Sequence, residues 1–135
     1  MAKKMVLVTD DDAEMREEIA LILSDEGFKV RTAPDGKAAI KMIKDNIFDL
    51  LLLDLKMPVM TGFEVLKNLD ALKIRIKTIV LTGSILGSTL PDEKGMTYAE
   101  KTRILALADA VMSKPFDVLK LIEKVKSLTS AVKPV

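Results

Sequence analysis

Hydrophobic and polar positions along the chain form two alternating kinds of segment. Short apolar or β-branched runs predict strands, and longer stretches with an apolar residue every three or four positions predict amphipathic helices. The predicted strands are Met5–Thr9, Phe28–Ala33, Phe48–Leu53, Thr78–Thr82 and Ala110–Ser113. The predicted helices are Glu14–Ser24, Gly36–Asn46, Gly62–Leu72, Thr97–Leu107 and Asp117–Leu128. Five strand–helix units in this order predict an α/β fold with one parallel sheet, right-handed crossovers and helices on both faces.

Helix-capping residues support several of these boundaries. Gly27 follows the first helix as a stop signal, and Asp35 precedes the second as an N-cap. Thr97 with Glu100 three positions on forms a capping box before the fourth helix. The uninterrupted leucines at 50–53 predict a central strand that is buried on both faces.

Two segments fall outside this alternation. Residues Gly83–Met96 contain three Gly, two Ser and one Pro, a composition that predicts a long loop. We expect residues 1–130 to form a single domain and residues 131–135 to form a C-terminal tail. The N-terminal apolar run ends in three aspartates, unlike a signal peptide, and no uncharged stretch is long and apolar enough to span a membrane. We therefore expect a soluble cytoplasmic domain.

Composition restricts the chemistry that is open to the chain. Its 135 residues include no His and no Cys, which excludes His-dependent nucleophile pairs, His-ligated metals, disulfides and iron–sulfur clusters. A net charge of +1 argues against a general nucleic-acid-binding domain. Carboxylates, lysines and hydroxyls remain, and these suit Mg²⁺ and phosphoryl groups.

Polar residues stand where the predicted strands end. Asp10–Asp12 follow the first strand, Asp54 follows the third, Thr82 ends the fourth and Lys114 follows the fifth. In a parallel sheet these ends share one edge, and a strand order of 2-1-3-4-5 puts the switch point between strands one and three. Asp10, Asp11 and Asp54 are then expected to converge, with Thr82 and Lys114 beside them.

Three converging carboxylates repel one another unless a cation neutralises them, and Mg²⁺ suits such a site. A metal beside an ammonium and a hydroxyl indicates a site for a phosphoryl group, with Asp54 as the natural nucleophile. Taken singly, each residue has a structural alternative. Asp12 is best explained as the N-cap of the first helix, Asp54 fits a strand-ending turn, and Thr82 and Lys114 fit ordinary surface positions.

Four sequence segments resemble the receiver domain of two-component response regulators (CheY-like). MVLVTDDDAEMR resembles the first strand with its acid pair, Asp10 and Asp11, and a downstream Arg16. FDLLLLDLKMPVMTGFEVL resembles the phosphoacceptor strand and its loop, with Asp54 as acceptor. IVLTGS supplies Thr82, and ADAVMSKPF supplies Lys114 before what is usually a cis bond to proline. The resemblance extends from residue 4 to about residue 128.

This resemblance implies a signalling switch and not an enzyme. A sensor kinase, or a histidine phosphotransfer protein, would pass a phosphoryl group to Asp54, with Mg²⁺ held by Asp10, Asp11, Asp54 and the Lys56 carbonyl. Thr82 and Lys114 would contact the phosphoryl oxygens. The surface formed by the fourth helix, the fifth strand and the fifth helix would then change and signal to a partner. The chain would be a monomer, or a weak dimer formed through this surface. No output domain follows, so the expectation is a stand-alone or excised receiver.

Three features depart from the family pattern. Val111 stands where an aromatic residue commonly moves with the threonine, and Leu107 replaces a small residue. The third departure is the Gly83–Met96 loop, about ten residues longer than usual. Two hypotheses remain open for this loop: it lies beside the phosphorylation pocket or forms a partner surface, or it is an insertion without function.

Three alternatives to a phosphorylated receiver remain. A haloacid-dehalogenase-like phosphohydrolase would use the Asp10/Asp12 spacing, with Asp10 phosphorylated, but leaves Asp54 without a role. A flavodoxin-like cofactor binder would need a phosphate-binding loop where three aspartates stand. A receiver that switches without phosphate is the third. The identity of the phosphorylated aspartate separates the first alternative from the receiver.

Overall fold

A computed structural model describes residues 3–83 and 95–130, which form five strands and five helices in strict alternation. The elements, in chain order, are β1 (Met5–Thr9), α1 (Ala13–Asp25), β2 (Lys29–Ala33), α2 (Gly36–Asp45), β3 (Leu50–Asp54), α3 (Gly62–Ala71), β4 (Lys77–Thr82), α4 (Tyr98–Leu105), β5 (Ala110–Ser113) and α5 (Val118–Thr129). The strands form one parallel sheet in the order β2-β1-β3-β4-β5. The predicted fold class and strand order are therefore confirmed.

Two apolar layers hold the helices against the sheet. Because successive strand residues point to opposite faces, alternate residues of β1, β3 and β4 contribute to different clusters. One cluster packs Ile19 and Leu23 of α1 with Leu121 and Val125 of α5. The other cluster buries residues from α2, α3 and α4, including Phe63. All five residues of β3 are buried, as the leucine run predicts for a central strand.

The capping predictions are confirmed. The Asp35 side chain accepts a hydrogen bond from the Ala38 amide, and Thr97 forms a reciprocal capping box with Glu100. Gly27 ends α1 with a φ of 94°, a left-handed conformation that glycine adopts without steric cost.

Most boundary differences amount to one or two residues. The fourth helix ends at Leu105 and not at the predicted Leu107, because the Leu107 amide donates to the Ile104 carbonyl in a tighter turn. The third strand begins at Leu50, two residues later than predicted, and ends at Asp54, one residue later.

Two aspartates, Asp49 and Asp109, each precede a strand and form hydrogen bonds with the start of the neighbouring strand. The sequence pattern does not single them out. The Asp49 side chain accepts from the Met5 amide at 2.8 Å, and the Asp49 amide donates to the Met5 carbonyl at 2.8 Å. Asp109 repeats this arrangement with Thr78, again with both bonds at 2.8 Å. These paired bonds fix the registers of β1 with β3 and of β4 with β5, and thereby the positions of the strand ends at the opposite edge.

Candidate phosphorylation site

Three carboxylates meet at the carboxyl edge of the sheet. Asp10, Asp11 and Asp54 each present an oxygen within 4.8 Å of the others. Asp10 and Asp54 are almost fully buried, with 2% and 6% of their surface exposed, whereas Asp11 is exposed. The structure thus brings together the three acidic residues that the strand-end argument predicts.

The turn between β1 and α1 orients the acid pair. The Arg16 Nη1 atom donates to the Asp10 carbonyl at 2.7 Å, and the Asp12 amide donates to Asp10 Oδ1 at 3.0 Å. Asp12 lies outside the carboxylate cluster and caps α1 by accepting from the Met15 amide. The N-cap interpretation of Asp12 is confirmed. Arg16 holds the backbone of Asp10, whose carboxylate is the most buried of the three.

Lys114 reaches into the cluster from the end of β5. Its Nζ atom lies 3.0 Å from Asp10 Oδ2 and 3.5 Å from Asp54 Oδ1. The Lys114 amide donates to the carbonyl of Thr82, which places the ends of β4 and β5 side by side, and the bond to Pro115 is cis, as the resemblance implies. Thr82 itself is 1% exposed.

Gly62 allows the start of α3 to approach the end of β3 closely. A Cβ atom at Gly62 would lie 2.5 Å from the Asp54 carbonyl oxygen and 2.7 Å from the Leu55 Cα. The Gly62 amide donates to the Leu55 carbonyl at 2.9 Å, which draws the start of α3 against the end of β3. Sequence reasoning identified Gly62 only as the start of a helix, because close backbone approach leaves no signal beyond the glycine itself.

Burial dominates the electrostatics of Asp54. Desolvation, followed by repulsion from Asp10, raises the pKa of Asp54 from 3.8 to about 6, against the opposing effects of Lys114 and the Lys56 amide. Burial by itself would lower the Lys114 pKa, but the hydrogen bond to Asp10 and the charge of Asp54 outweigh it and raise that pKa above its ordinary value. One ammonium therefore leaves an excess of negative charge in the cluster.

This donor set fits a hard divalent cation. Carboxylate oxygens are the ligands that Mg²⁺ prefers, and the spacing within 4.8 Å lets a single ion contact all three. Lys114 supplies one positive charge beside three carboxylates, so it does not neutralise the cluster by itself. No other group of three or more acidic residues with metal-binding spacing occurs in residues 3–83 and 95–130.

The remaining sequence expectations fall outside the carboxylate cluster. Val111 lies on β5 with 40% of its surface exposed, and Leu107 is 43% exposed. Most of the predicted Gly83–Met96 loop, residues 84–94, and the tail at 131–135 lie outside the described residues. No helix in the described part of the chain is long and apolar enough to cross a membrane.

Comparison with known proteins identifies the family. The family model for the response regulator receiver domain matches residues 6–126. The chain is 37% identical over 124 residues to the response regulator RR06 of Streptococcus pneumoniae, a match that covers 91% of this chain and 52% of that protein. It thus spans about half the length of the curated relatives it matches.

Solved structures agree with this family. A receiver domain protein (CheY-like) from Methanospirillum hungatei is 30% identical, with a TM-score of 0.78 and 93% of each chain covered. The response regulator TrrA of Thermotoga maritima, solved in complex with Mg²⁺ and beryllofluoride, is 31% identical with a TM-score of 0.75, covering 93% of this chain and 98% of that one. The family match decides against the phosphohydrolase and flavodoxin alternatives. The chain belongs to the receiver domain family of two-component response regulators.

Proposed function

We propose that this chain is a phosphorylation switch whose phosphoacceptor is Asp54. The observation that carries the proposal is the contact of Asp54 with Lys114, at 3.5 Å, inside a cluster that Asp10 and Asp11 complete. Membership of the receiver family supports the phosphoryl chemistry, and the beryllofluoride complex of the Thermotoga relative supports the metal.

The proposed transfer uses the carboxylate of Asp54 as the nucleophile. One Asp54 oxygen bonds to phosphorus as the bond from phosphorus to a histidine nitrogen of the donor breaks, giving an aspartyl phosphate and a free imidazole. The 135 residues contain no His, so the proposed phosphohistidine lies outside them, on a sensor kinase or a histidine phosphotransfer protein. Lys114 stabilises the negative charge on the transferred group, and Thr82 at the end of β4 is proposed to donate its hydroxyl to it.

Asp10, Asp11, Asp54 and the Lys56 carbonyl are the proposed magnesium ligands. A bound Mg²⁺ would neutralise charge on the phosphoryl oxygens and on the carboxylates around them. The Lys56 amide, which donates to Asp54 Oδ1 at 3.4 Å, places that residue next to the acceptor.

The proposed output is a change in the surface formed by α4, β5 and α5, which a downstream protein recognises. Phosphorylation at Asp54 would change the charge beside Thr82 and Lys114. Thr82 is the last residue of β4 and Lys114 directly follows β5, so both residues adjoin this surface. The proposed compartment is the cytoplasm, and the proposed oligomeric state is a monomer or a weak dimer through this surface. Direct DNA binding is not part of the proposal for these 135 residues.

Phosphorylation with a small donor tests the acceptor directly. The parent chain and Asp54→Asn are incubated with Mg²⁺ and acetyl phosphate, and intact-mass spectrometry measures the added phosphoryl group. We expect labelling of the parent and none of the variant. Labelling of the parent at Asp10, or at no aspartate, would contradict the proposal.

Asp12→Asn is the matched control for this experiment. It makes the same chemical change at the same edge of the sheet, in the turn between β1 and α1, and asparagine retains the ability to cap α1. Asp12→Asn is expected to accept phosphate like the parent. Equal loss of labelling in both variants would show that the loss is not specific to Asp54 and would contradict its role as acceptor.

A further inference from the structure

A groove lies at the amino edge of the sheet, on the side opposite the acidic cluster. It has a volume of about 800 Å³ and runs between the end of α3, the connection into β4 and the turn before β5. Lys77, the first residue of β4, lines this groove, while Thr82 ends the same strand. At roughly 3.3 Å per residue the two sites are about 16 Å apart, so a ligand in the groove does not contact Asp54.

The floor of this α3–β4 groove is apolar. Leu66 and Leu69 of α3 are buried beneath it, and Ile74 and Ile76 are half-buried along its length. Leu107, which is 43% exposed, closes one side. Contact with apolar side chains of a ligand would remove this surface from water.

The rim of the groove carries a row of cations. Lys73, Arg75 and Lys77 are all exposed and alternate with the two half-buried isoleucines. Neither Lys73 nor Arg75 forms an ion pair within residues 3–83 and 95–130, and Lys77 approaches Asp109 only at 4.0 Å. Two cations are thus left without an acidic partner in the described part of a chain whose net charge is only +1.

The acidic residues of the groove narrow the choice of ligand. Asp70 and Asp109 line it as well, and Asp109 is held by the Thr78 amide at 2.8 Å. These carboxylates would repel a continuous phosphate backbone, and three cations are few compared with the six to ten phosphate contacts of a typical nucleic-acid-binding protein. In an extended peptide the side chains alternate in direction, so acidic residues at every second position can face the cations while the residues between them face the apolar floor.

From this charge pattern we propose that the α3–β4 groove docks an extended segment of a partner protein in which acidic and apolar residues alternate. Lys73 lies in the turn after α3 with a φ of 58°, but Arg75 and Lys77 are two residues apart at the entry to β4. Along an extended chain that separation is about 6.6 Å, which matches carboxylates two residues apart in the peptide. The intervening apolar side chains would contact Ile74, Ile76 and Leu107. This proposal does not depend on phosphorylation at Asp54.

Titration with designed peptides tests the proposal. The probe is a fluorescein-labelled peptide of alternating Glu and Leu, and its binding to the full chain is measured by fluorescence anisotropy. A peptide with Lys in place of Glu and a short single-stranded DNA serve as comparisons. We expect the acidic peptide to bind at least tenfold more tightly than either, with affinity falling as salt rises from about 50 to about 500 mM.

Charge reversal locates the binding site. Lys73→Glu combined with Arg75→Glu is expected to weaken binding of the acidic peptide by at least tenfold. Lys120→Glu combined with Lys124→Glu reverses the same number of charges on α5 and is expected to change the affinity less than twofold. Circular dichroism confirms the fold of each variant, and glutamine replaces glutamate at 73 and 75 if the reversed variant unfolds.

Several results would overturn the proposal. These are equal binding of the acidic and basic peptides, tighter binding of DNA, and no binding of the acidic peptide at about 1 mM. The proposal would also be overturned if, on addition of the acidic peptide, the backbone amide chemical shifts measured by NMR change only for residues outside the groove. A concentration-dependent signal at the groove without peptide would show that a second copy of this chain, and not a partner peptide, occupies it.

Discussion

Replacing Asp54 by asparagine is expected to stabilise the metal-free protein. The folded chain binds the Asp54 proton more tightly than the unfolded chain does, because burial and Asp10 raise its pKa from 3.8 to about 6. This carboxyl therefore favours folding below pH 4, and that contribution is lost as the pH rises from about 4 to above 6. Asparagine has nearly the same shape and no charge, so it removes the cost of ionisation.

The size of the effect follows from the pKa. A shift of about two units corresponds to about 3 kcal/mol above pH 6. Water at the mouth of the site screens part of the interaction, so we expect about 1.5 kcal/mol, or a rise of about 5 °C in Tm. The lost attraction between Lys114 and Asp54 is already included, because it opposes the raised pKa.

Urea unfolding followed by circular dichroism measures this difference at several pH values in the presence of EDTA. The advantage of Asp54→Asn is expected at pH 8 and should disappear near pH 4. Adding Mg²⁺ at pH 8 should reduce it, because a cation bound to the carboxylates stabilises the parent chain. Glu18→Gln on the exposed face of α1 makes the same change from carboxylate to amide and should alter stability little at either pH.

Two results would refute this reasoning. If Asp54→Asn is less stable than the parent at pH 8 without metal, the Asp54 carboxylate is stabilised by its surroundings and the electrostatic balance is wrong. If its advantage is the same at pH 4 and pH 8, the gain comes from packing and not from charge.

Further predictions follow from contacts around the cluster. Gly62→Ala should lower the free energy of unfolding in urea by about 2–4 kcal/mol, because the alanine Cβ would meet the Asp54 backbone. Alanine favours helices more than glycine does, so a variant more stable than the parent would refute this steric argument. The buried Thr9 hydroxyl has no hydrogen-bond partner among the described residues, so Thr9→Val should raise the free energy of unfolding by about 1 kcal/mol. The matched variant Thr78→Val removes a hydroxyl that donates to the Ile76 carbonyl at 3.0 Å, and should lower the free energy of unfolding by a similar amount. Arg16→Met should weaken Mg²⁺ binding several-fold in calorimetric titration without unfolding the chain, and unchanged affinity would refute a positioning role.

The fold was predictable because each of its elements carries a local signal. The leucines of β3 indicate a strand buried on both faces, and the polar residues at strand ends indicate one shared edge. The convergence of Asp10, Asp11 and Asp54 followed from that topology alone, and the structure confirms it. Residue type and strand order are therefore sufficient to place the acidic cluster.

Contacts that depend on three-dimensional packing were not predictable from single residues. Asp49 and Asp109 precede their strands like ordinary turn residues, and their reciprocal bonds appear only once the neighbouring strands are aligned. The Arg16 guanidinium reaches the Asp10 carbonyl across the first turn of α1, where a surface salt bridge would be an equally natural expectation. Exact helix ends depend on the last-turn hydrogen bonds, which explains the shorter α4.

The position of Lys114 bears on the proposed role of the buried Asp54 carboxylate as a nucleophile. Its ammonium lies closer to Asp10, at 3.0 Å, than to Asp54, at 3.5 Å, so Asp54 keeps more uncompensated negative charge. In the metal-free protein, a pKa of about 6 leaves most of this carboxyl ionised at pH 7. The group is therefore more basic than an ordinary aspartate and still mostly ionised, which is the form proposed to attack phosphorus. A closer approach of Lys114 would stabilise the metal-free fold and lower the basicity of the nucleophile, so the same geometry that costs stability favours the proposed transfer.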